Sequence, residues 1–403
     1  MATKEPIEKA PLRFYPLDYA SMVGFLAYAS TMTATPICLV AISRELSLSL
    51  SQAGGLEAMR GILILVTLLF SGFIGAKFGK VRALGWSSLV LGAGMVCYSV
   101  APGYGALLLA LAFMGLGGGV VEALINPLVQ ELHPKDSGRY LNLTNAFWSV
   151  GILITVLGSG ELLSREVSWR AVIAGIGGLS FVSGILFLLL RRTASTRARQ
   201  SFSEVFRQKR AILGSFHFWL FASMMFLGGA SEGAFTYWGA SLIQLQYGGE
   251  PRAAGFGLAL FAIGMIVARL VFGCVLPQSR LWTILMGSAL AGVVIGSMIP
   301  LLNSLNAVYV GLLFSGAAVA SFWPSMQAYA VDRLPFDPMG IFILLSCGGI
   351  AGFASIPWIM GAIGDRVSLR AGFWVVPFSL LALAALLIWE RKVRSKDRGG
   401  KIG

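Results

Sequence analysis

Apolar stretches of 17 to 27 residues, separated by short charged or Pro/Gly-rich breaks, recur along the whole chain. A helix that crosses the roughly 30 Å hydrocarbon core of a bilayer needs about 20 mostly apolar residues. Twelve stretches qualify: 20–42, 54–75, 83–99, 106–132, 141–162, 170–190, 212–238, 255–276, 281–302, 307–331, 340–363 and 371–389. They fall into two groups of six around residues 191–210, RRTASTRARQSFSEVFRQKR, a polar interval with seven Arg or Lys. The pattern predicts an all-α membrane protein of twelve transmembrane helices in two six-helix bundles, residues 1–190 and 211–403. The basic interval reads as a solvated cytoplasmic linker, with a short surface helix or a specific lipid or protein site as the alternative.

Charge fixes an expected orientation. With the N-terminus inside, the inner segments hold 23 Lys or Arg and the outer ones six. This asymmetry predicts cytoplasmic termini and an even helix count. Residues 1–17 lack an apolar core, so no cleavable signal peptide is expected there. The expected location is a bacterial inner membrane.

Composition then removes whole classes of function. Only 12% of the 403 residues are charged, against about 25% in soluble domains, which excludes a water-soluble enzyme. The net charge of +13 lies in short runs between apolar spans and not on an aromatic-rich face, which argues against nucleic acid. Cys38, Cys97, Cys274 and Cys347 each stand alone in apolar runs, as small buried residues and not as metal ligands or disulfides. A polytopic membrane enzyme would need a catalytic cluster, and the chain has two histidines, His133 and His217. No Walker sequence is present, and no cofactor or metal is expected. The layout that remains is a transporter of two parallel halves with its substrate site at the midplane.

Ionisable side chains at bilayer depth cost a few kcal/mol and mark functional sites. Glu122 lies about 16 Å from the inner end of its span, near the midplane, with Asn126 on the same face. Desolvation disfavours a charged carboxyl, the property a proton carrier uses; a protonated structural Glu is the alternative. The preceding GLGGGVV, residues 115–121, lets helices approach and slide. Asn142, Asn145 and Ser149 recur at helical spacing beside Trp148, which suits an uncharged polyhydroxylated ligand, since amides pair with hydroxyls and aromatic faces stack on sugar C–H bonds. Inter-helix hydrogen bonding is the alternative. GGASEGAFTYW places Glu232 and Trp238 in the seventh span, and SFWPSMQAYA places Trp323 and Gln327 on one face of the tenth with a proline kink between them, where broken helices favour binding. Glu57 and Arg60 read as a self-neutralising pair or a gate. Arg269, within snorkelling reach of the inner surface, reads as structural or gating.

These residues resemble the major facilitator superfamily over essentially the whole chain. GFIGAKFGKVR, residues 72–82, is similar to that superfamily's loop signature, with Ala76 in place of the usual Asp. A closer resemblance is to the fucose/glucose permease branch of proton-coupled sugar symporters: Glu122, Asn126-Pro127, Gly138 and Leu141-Asn142-Leu143 follow its fourth-to-fifth-helix pattern. Glu232 with Trp238, and Trp323-Pro324, resemble its seventh and tenth helices. The resemblance implies a monomer in which Glu122 couples a proton to a sugar or polyol. Two departures stand out: the branch's first-helix acid is missing from 20–42, where Tyr28, Ser30, Thr31, Thr33 and Thr35 precede Pro36, and Trp148 stands where a further amide is expected. Two alternatives remain: a proton-coupled exporter or antiporter of amphipathic compounds or organic anions, and a membrane sensor on a transporter fold.

Overall fold

A computed structural model of the chain describes residues 13–133, 137–192, 210–275, 280–336 and 338–399, with side chains left undescribed at 134–139, 141–142, 273–279, 338–339 and beyond 393. Most of the basic linker and the side chain of Asn142 therefore lie outside the described residues. No strand occurs among those described. The first half comprises α1 (Pro16–Glu45), α2 (Leu50–Phe78), α3 (Lys80–Ser99), α4 (Tyr104–Leu132), α5 (Ser137–Ser164) and α6 (Trp169–Leu189). The second comprises α7 (Phe216–Gln246), α8 (Pro251–Val275), α9 (Leu281–Met298), α10 (Leu305–Val319), α11 (Phe322–Val331), α12 (Pro338–Arg366), α13 (Leu369–Gly372) and α14 (Val375–Gly399).

Eleven spans among the described residues are long and apolar enough to cross a membrane, with α10–α11 and α13–α14 each forming one. The 31-residue α7 supplies the twelfth long helix. It runs eight residues past the apolar stretch that signals it, because Ser241, Leu242 and Ile243 stay buried in the bundle. Helices α1 and α7 are buried on nearly every side and pack against each other at the centre. An amphipathic stripe is absent where a helix is enclosed all round.

Local chemistry sets the helix starts. Pro16 occupies the first turn of α1, where its missing N–H costs nothing, and Asp18 Oδ2 accepts from the Tyr15 amide at 2.7 Å. Ser49, Ser215 and Ser304 cap α2, α7 and α10 through their hydroxyls, each satisfying an orphan amide.

The halves repeat one device. Arg170, at the start of α6, donates to the Ser99 and Ala101 carbonyls at 2.8 and 3.0 Å, just past α3. Arg370, at the start of the last span, donates to the Pro300 carbonyl at 2.6 Å and to Asn303 Oδ1 at 2.8 Å, just past α9. Both follow a Ser that caps the helix (Ser168, Ser368), and each arginine neutralises the negative end of an antiparallel neighbour.

Candidate substrate and proton site

In the first half α4 is the hub. Glycines along it bring α4 against three neighbours. An ideal Cβ would lie 2.7 Å from Leu63 of α2 at Gly115, 2.5 Å from the Ser87 carbonyl of α3 at Gly117, and 2.8 Å from the Tyr28 ring of α1 at Gly118. One turn beyond Gly118, Glu122 lies within electrostatic range of Tyr28 and makes no hydrogen bond or ion pair among the described residues. Tyr28 in turn meets Trp148 of α5 edge-on, with ring centroids 5.2 Å apart, and Phe25 meets the same indole at 6.2 Å. Asn145 Nδ2 donates to Asn126 Oδ1 at 3.0 Å, so the two amides bridge α4 and α5. Tyr28 thus links Glu122 and Trp148, and the Asn126–Asn145 bridge lies about one turn further along α4 and α5. Nothing in the sequence singled Tyr28 out, because its contacts with α4 and α5 are made across helices.

In the second half Glu232 of α7, Arg269 of α8 and Trp323 of α11 converge. Arg269 Nη2 stands 3.8 Å from Glu232 Oε1, the Trp323 indole lies beside the same carboxylate, and Glu232 Oε2 is buried with no hydrogen-bond partner. Gln327 Nε2 donates to Ser346 Oγ of α12 at 2.9 Å. The break in the tenth span corrects the expected geometry: the helix opens at Ala320–Ser321, so Trp323 and Gln327 both follow the kink. A proline clashes with the carbonyl four residues before it but is tolerated in a first turn, and Pro324 accordingly sits in the first turn of α11. Trp238 is not brought to this group. It is 1% exposed and donates to the Pro357 carbonyl at 2.9 Å, within the packing of α7 on α12.

Both groups border the α1–α7 seam. At the end away from the termini the two halves close on each other. A Cβ at Gly54 would lie 2.4 Å from the Pro357 carbonyl, and one at Gly61 2.1 Å from Ala354 Cβ, so α2 meets α12 backbone to backbone. Asp365 of α12 accepts from the Leu50 and Ser51 amides at 2.7 and 2.9 Å, capping α2 from the other half. Tyr237 donates to the Ala53 carbonyl. On the second seam Arg252 of α8 pairs with Glu161 of α5 at 2.6 Å. Glu57 and Arg60 are paired inside this closed region, 2% and 3% exposed, and Arg60 Nη1 also donates to the Met32 carbonyl at 3.2 Å. Among the described residues, glycine approaches between the halves occur only at this end.

A second ionisable group lies where the sequence showed none. Helix α1 starts at Pro16, four residues before its apolar stretch, so the first span does carry an acid: Asp18, 1% exposed. Both its oxygens lie 2.9 Å from His133 Nε2, and the imidazole stacks on Tyr140 with centroids 3.4 Å apart. The pair joins α1 to the end of α4, well removed from Glu122 along the helix.

Two six-helix halves that meet around central helices and keep polar groups at mid-span form the frame of a known transporter family. The Major Facilitator Superfamily profile matches residues 20–335 and 222–403. The chain belongs to the Major Facilitator Superfamily. It is therefore a multi-pass membrane transporter and not an enzyme. An uncharacterised MFS-type transporter of Yersinia pestis is 23% identical over 331 residues, 81% of this chain and 83% of its own length. Among solved structures, a point mutant of the nucleoside transporter NupG superposes with a TM-score of 0.78 at 13% identity, covering 93% of this chain and 98% of that one. A D-xylose-proton symporter superposes with a TM-score of 0.73 at 13% identity, covering 92% and 96%. These superfamily members share the fold of the present chain.

Proposed function

We propose that this transporter is a secondary carrier that takes up a neutral monosaccharide or polyol together with a proton, by alternating access of its two halves. One observation carries the reading: the Glu122 carboxyl has no ion-pair or hydrogen-bond partner among the described residues, and it lies within range of Tyr28 and one helical turn from the Asn126–Asn145 amide pair. An intramembrane carboxyl that no arginine or lysine neutralises is cheapest with a proton on it, so proton binding and the crossing step are linked. Asn126 and Asn145, which satisfy each other in the absence of cargo, can exchange that bond for ligand hydroxyls. Trp148 and Trp323 offer faces for the ring C–H bonds. The D-xylose-proton symporter of the same fold carries a neutral sugar by its name, which supports the same class here. The inner bacterial membrane with both termini cytoplasmic fits the 23-to-6 charge asymmetry, and the closed end then faces outward.

A second reading draws on the other half. Arg269 is 34% exposed and only loosely paired, which would suit an organic anion or an amphipathic cargo moved by an exporter or antiporter. Proteoliposomes loaded with a pH dye and challenged with hexoses, deoxyhexoses, polyols and organic anions separate the two. Sugar-evoked acidification that disappears in Glu122→Gln supports the symporter. A response confined to organic anions, and lost in Arg269→Gln, supports the second reading.

A further inference from the structure

The start of α9 is flanked by two openings on the membrane-facing surface that the transport site does not use. Between α8, α9 and α10 lies a cavity of about 430 Å³, floored by Gly287, Ser288, Ala291 and Ala317 and walled by Phe272 and Phe314. A Cβ placed on Gly287 meets nothing within 4 Å. Small residues here do not bring helices together; they leave a furrow. Its lining extends along α9 from Arg280 to Ile295, which at 1.5 Å per residue is roughly 22 Å, enough to pass through one leaflet of a core about 30 Å thick. Apart from the Arg280 end the lining is almost wholly apolar.

The second opening, about 380 Å³, lies on the other side of the same helix start and is lined by Trp282, Ile388, Arg391 and Lys392. Trp282 lines this second opening, two residues after Arg280, which lines the first. Its Nε1 donates to the Leu387 carbonyl at 3.2 Å, and the Arg391 guanidinium lies 4.5 Å from the ring centroid. An indole at the membrane surface with flanking arginines is the usual interfacial arrangement. Among the described residues the neighbouring acid does not pair with Arg391, because Glu390 is buried and turned toward Tyr329 at 2.6 Å and Arg333 at 3.6 Å.

We propose that these openings form one binding site for an anionic phospholipid, with an acyl chain in the α8–α9–α10 furrow and the phosphate held between Arg280 and Arg391. Charge complementarity selects the headgroup and the furrow selects the tail, so neither inorganic phosphate nor a zwitterionic lipid satisfies both halves of the site.

Native mass spectrometry of the full chain, released from detergent doped equally with phosphatidylglycerol and phosphatidylcholine, tests this. Wild type retains phosphatidylglycerol preferentially. Arg280→Gln and Arg391→Gln each reduce that preference about fivefold, the value of one basic residue near an anionic surface. Gly287→Leu fills the furrow without a clash and lowers retention of both lipids while the thermal unfolding midpoint stays put. Equal retention of the two lipids by wild type overturns the proposal, as does a preference unchanged in the Arg280→Gln/Arg391→Gln double variant or displacement of the lipid by inorganic phosphate.

Discussion

Arg60 and Arg269 meet the same structural need in opposite halves, and they meet it with different tightness. Pro36 in α1 has no N–H, which leaves the Met32 carbonyl, four residues earlier, without its helical donor; Arg60 Nη1 supplies one at 3.2 Å. Pro324 does the same to Ala320, and Arg269 Nε donates to that carbonyl at 3.2 Å. Each arginine also faces a glutamate. The Arg60–Glu57 pair is almost wholly enclosed, whereas Arg269 and Glu232 are 3.8 Å apart with the arginine 34% exposed and one carboxylate oxygen unpartnered. A fully buried pair is a fixed brace, because removing either partner strands a charge. A loose one can be re-partnered by cargo or by a change of state.

The two arginines should differ most in stability. Arg60→Ala should lose about 3–5 kcal/mol, the usual result of stranding one member of a buried pair, whereas Arg269→Ala should lose about 1 kcal/mol or less, since its pair is partly solvated. Thermal unfolding of both variants in detergent compares them, and equal losses would remove the distinction between brace and movable pair.

Next in size is the effect of opening the closed end. Gly61→Leu places a side chain where a Cβ would already sit 2.1 Å from Ala354 Cβ. Overpacking of this kind costs about 1–3 kcal/mol, which shifts the balance of states by roughly fivefold to a hundredfold. Spin labels at Gln52 and Arg366 should show a longer distance population in this variant; an unchanged distance distribution would mean that the α2–α12 contact does not hold the end shut.

Pro324→Ala returns an N–H to the Ala320 carbonyl and frees Arg269 to close on Glu232. Stability should change by less than about 0.5 kcal/mol, as for substitutions away from key contacts, while apparent cargo affinity in a transport assay shifts a few-fold. Unaltered affinity would detach Arg269 from the cargo side of the cycle.

The spans, the two halves, and the shared face of Glu122 and Asn126 were legible in the sequence because they follow from local periodicity and run length. The groupings across helices were not. Asp18 and His133 are 115 residues apart, and the apolar stretch that signals α1 begins after Asp18, so neither residue stood out. Arg170 and Arg370 looked like ordinary outer-loop charges, since the carbonyls they cap belong to other helices. Trp238 shares its span with Glu232 and glycines, whereas Trp323 stands in a different span beside Pro324. Only packing separates the buried indole on Pro357 from the one beside Glu232 and Gly349.

If Glu122 links proton movement to cargo movement, transport by Glu122→Gln in proteoliposomes will show it. With a transported sugar or polyol, the variant should keep equilibrium exchange across the membrane and lose accumulation driven by a pH gradient. Accumulation at the wild-type level would contradict the account and remove Glu122 from the coupling step.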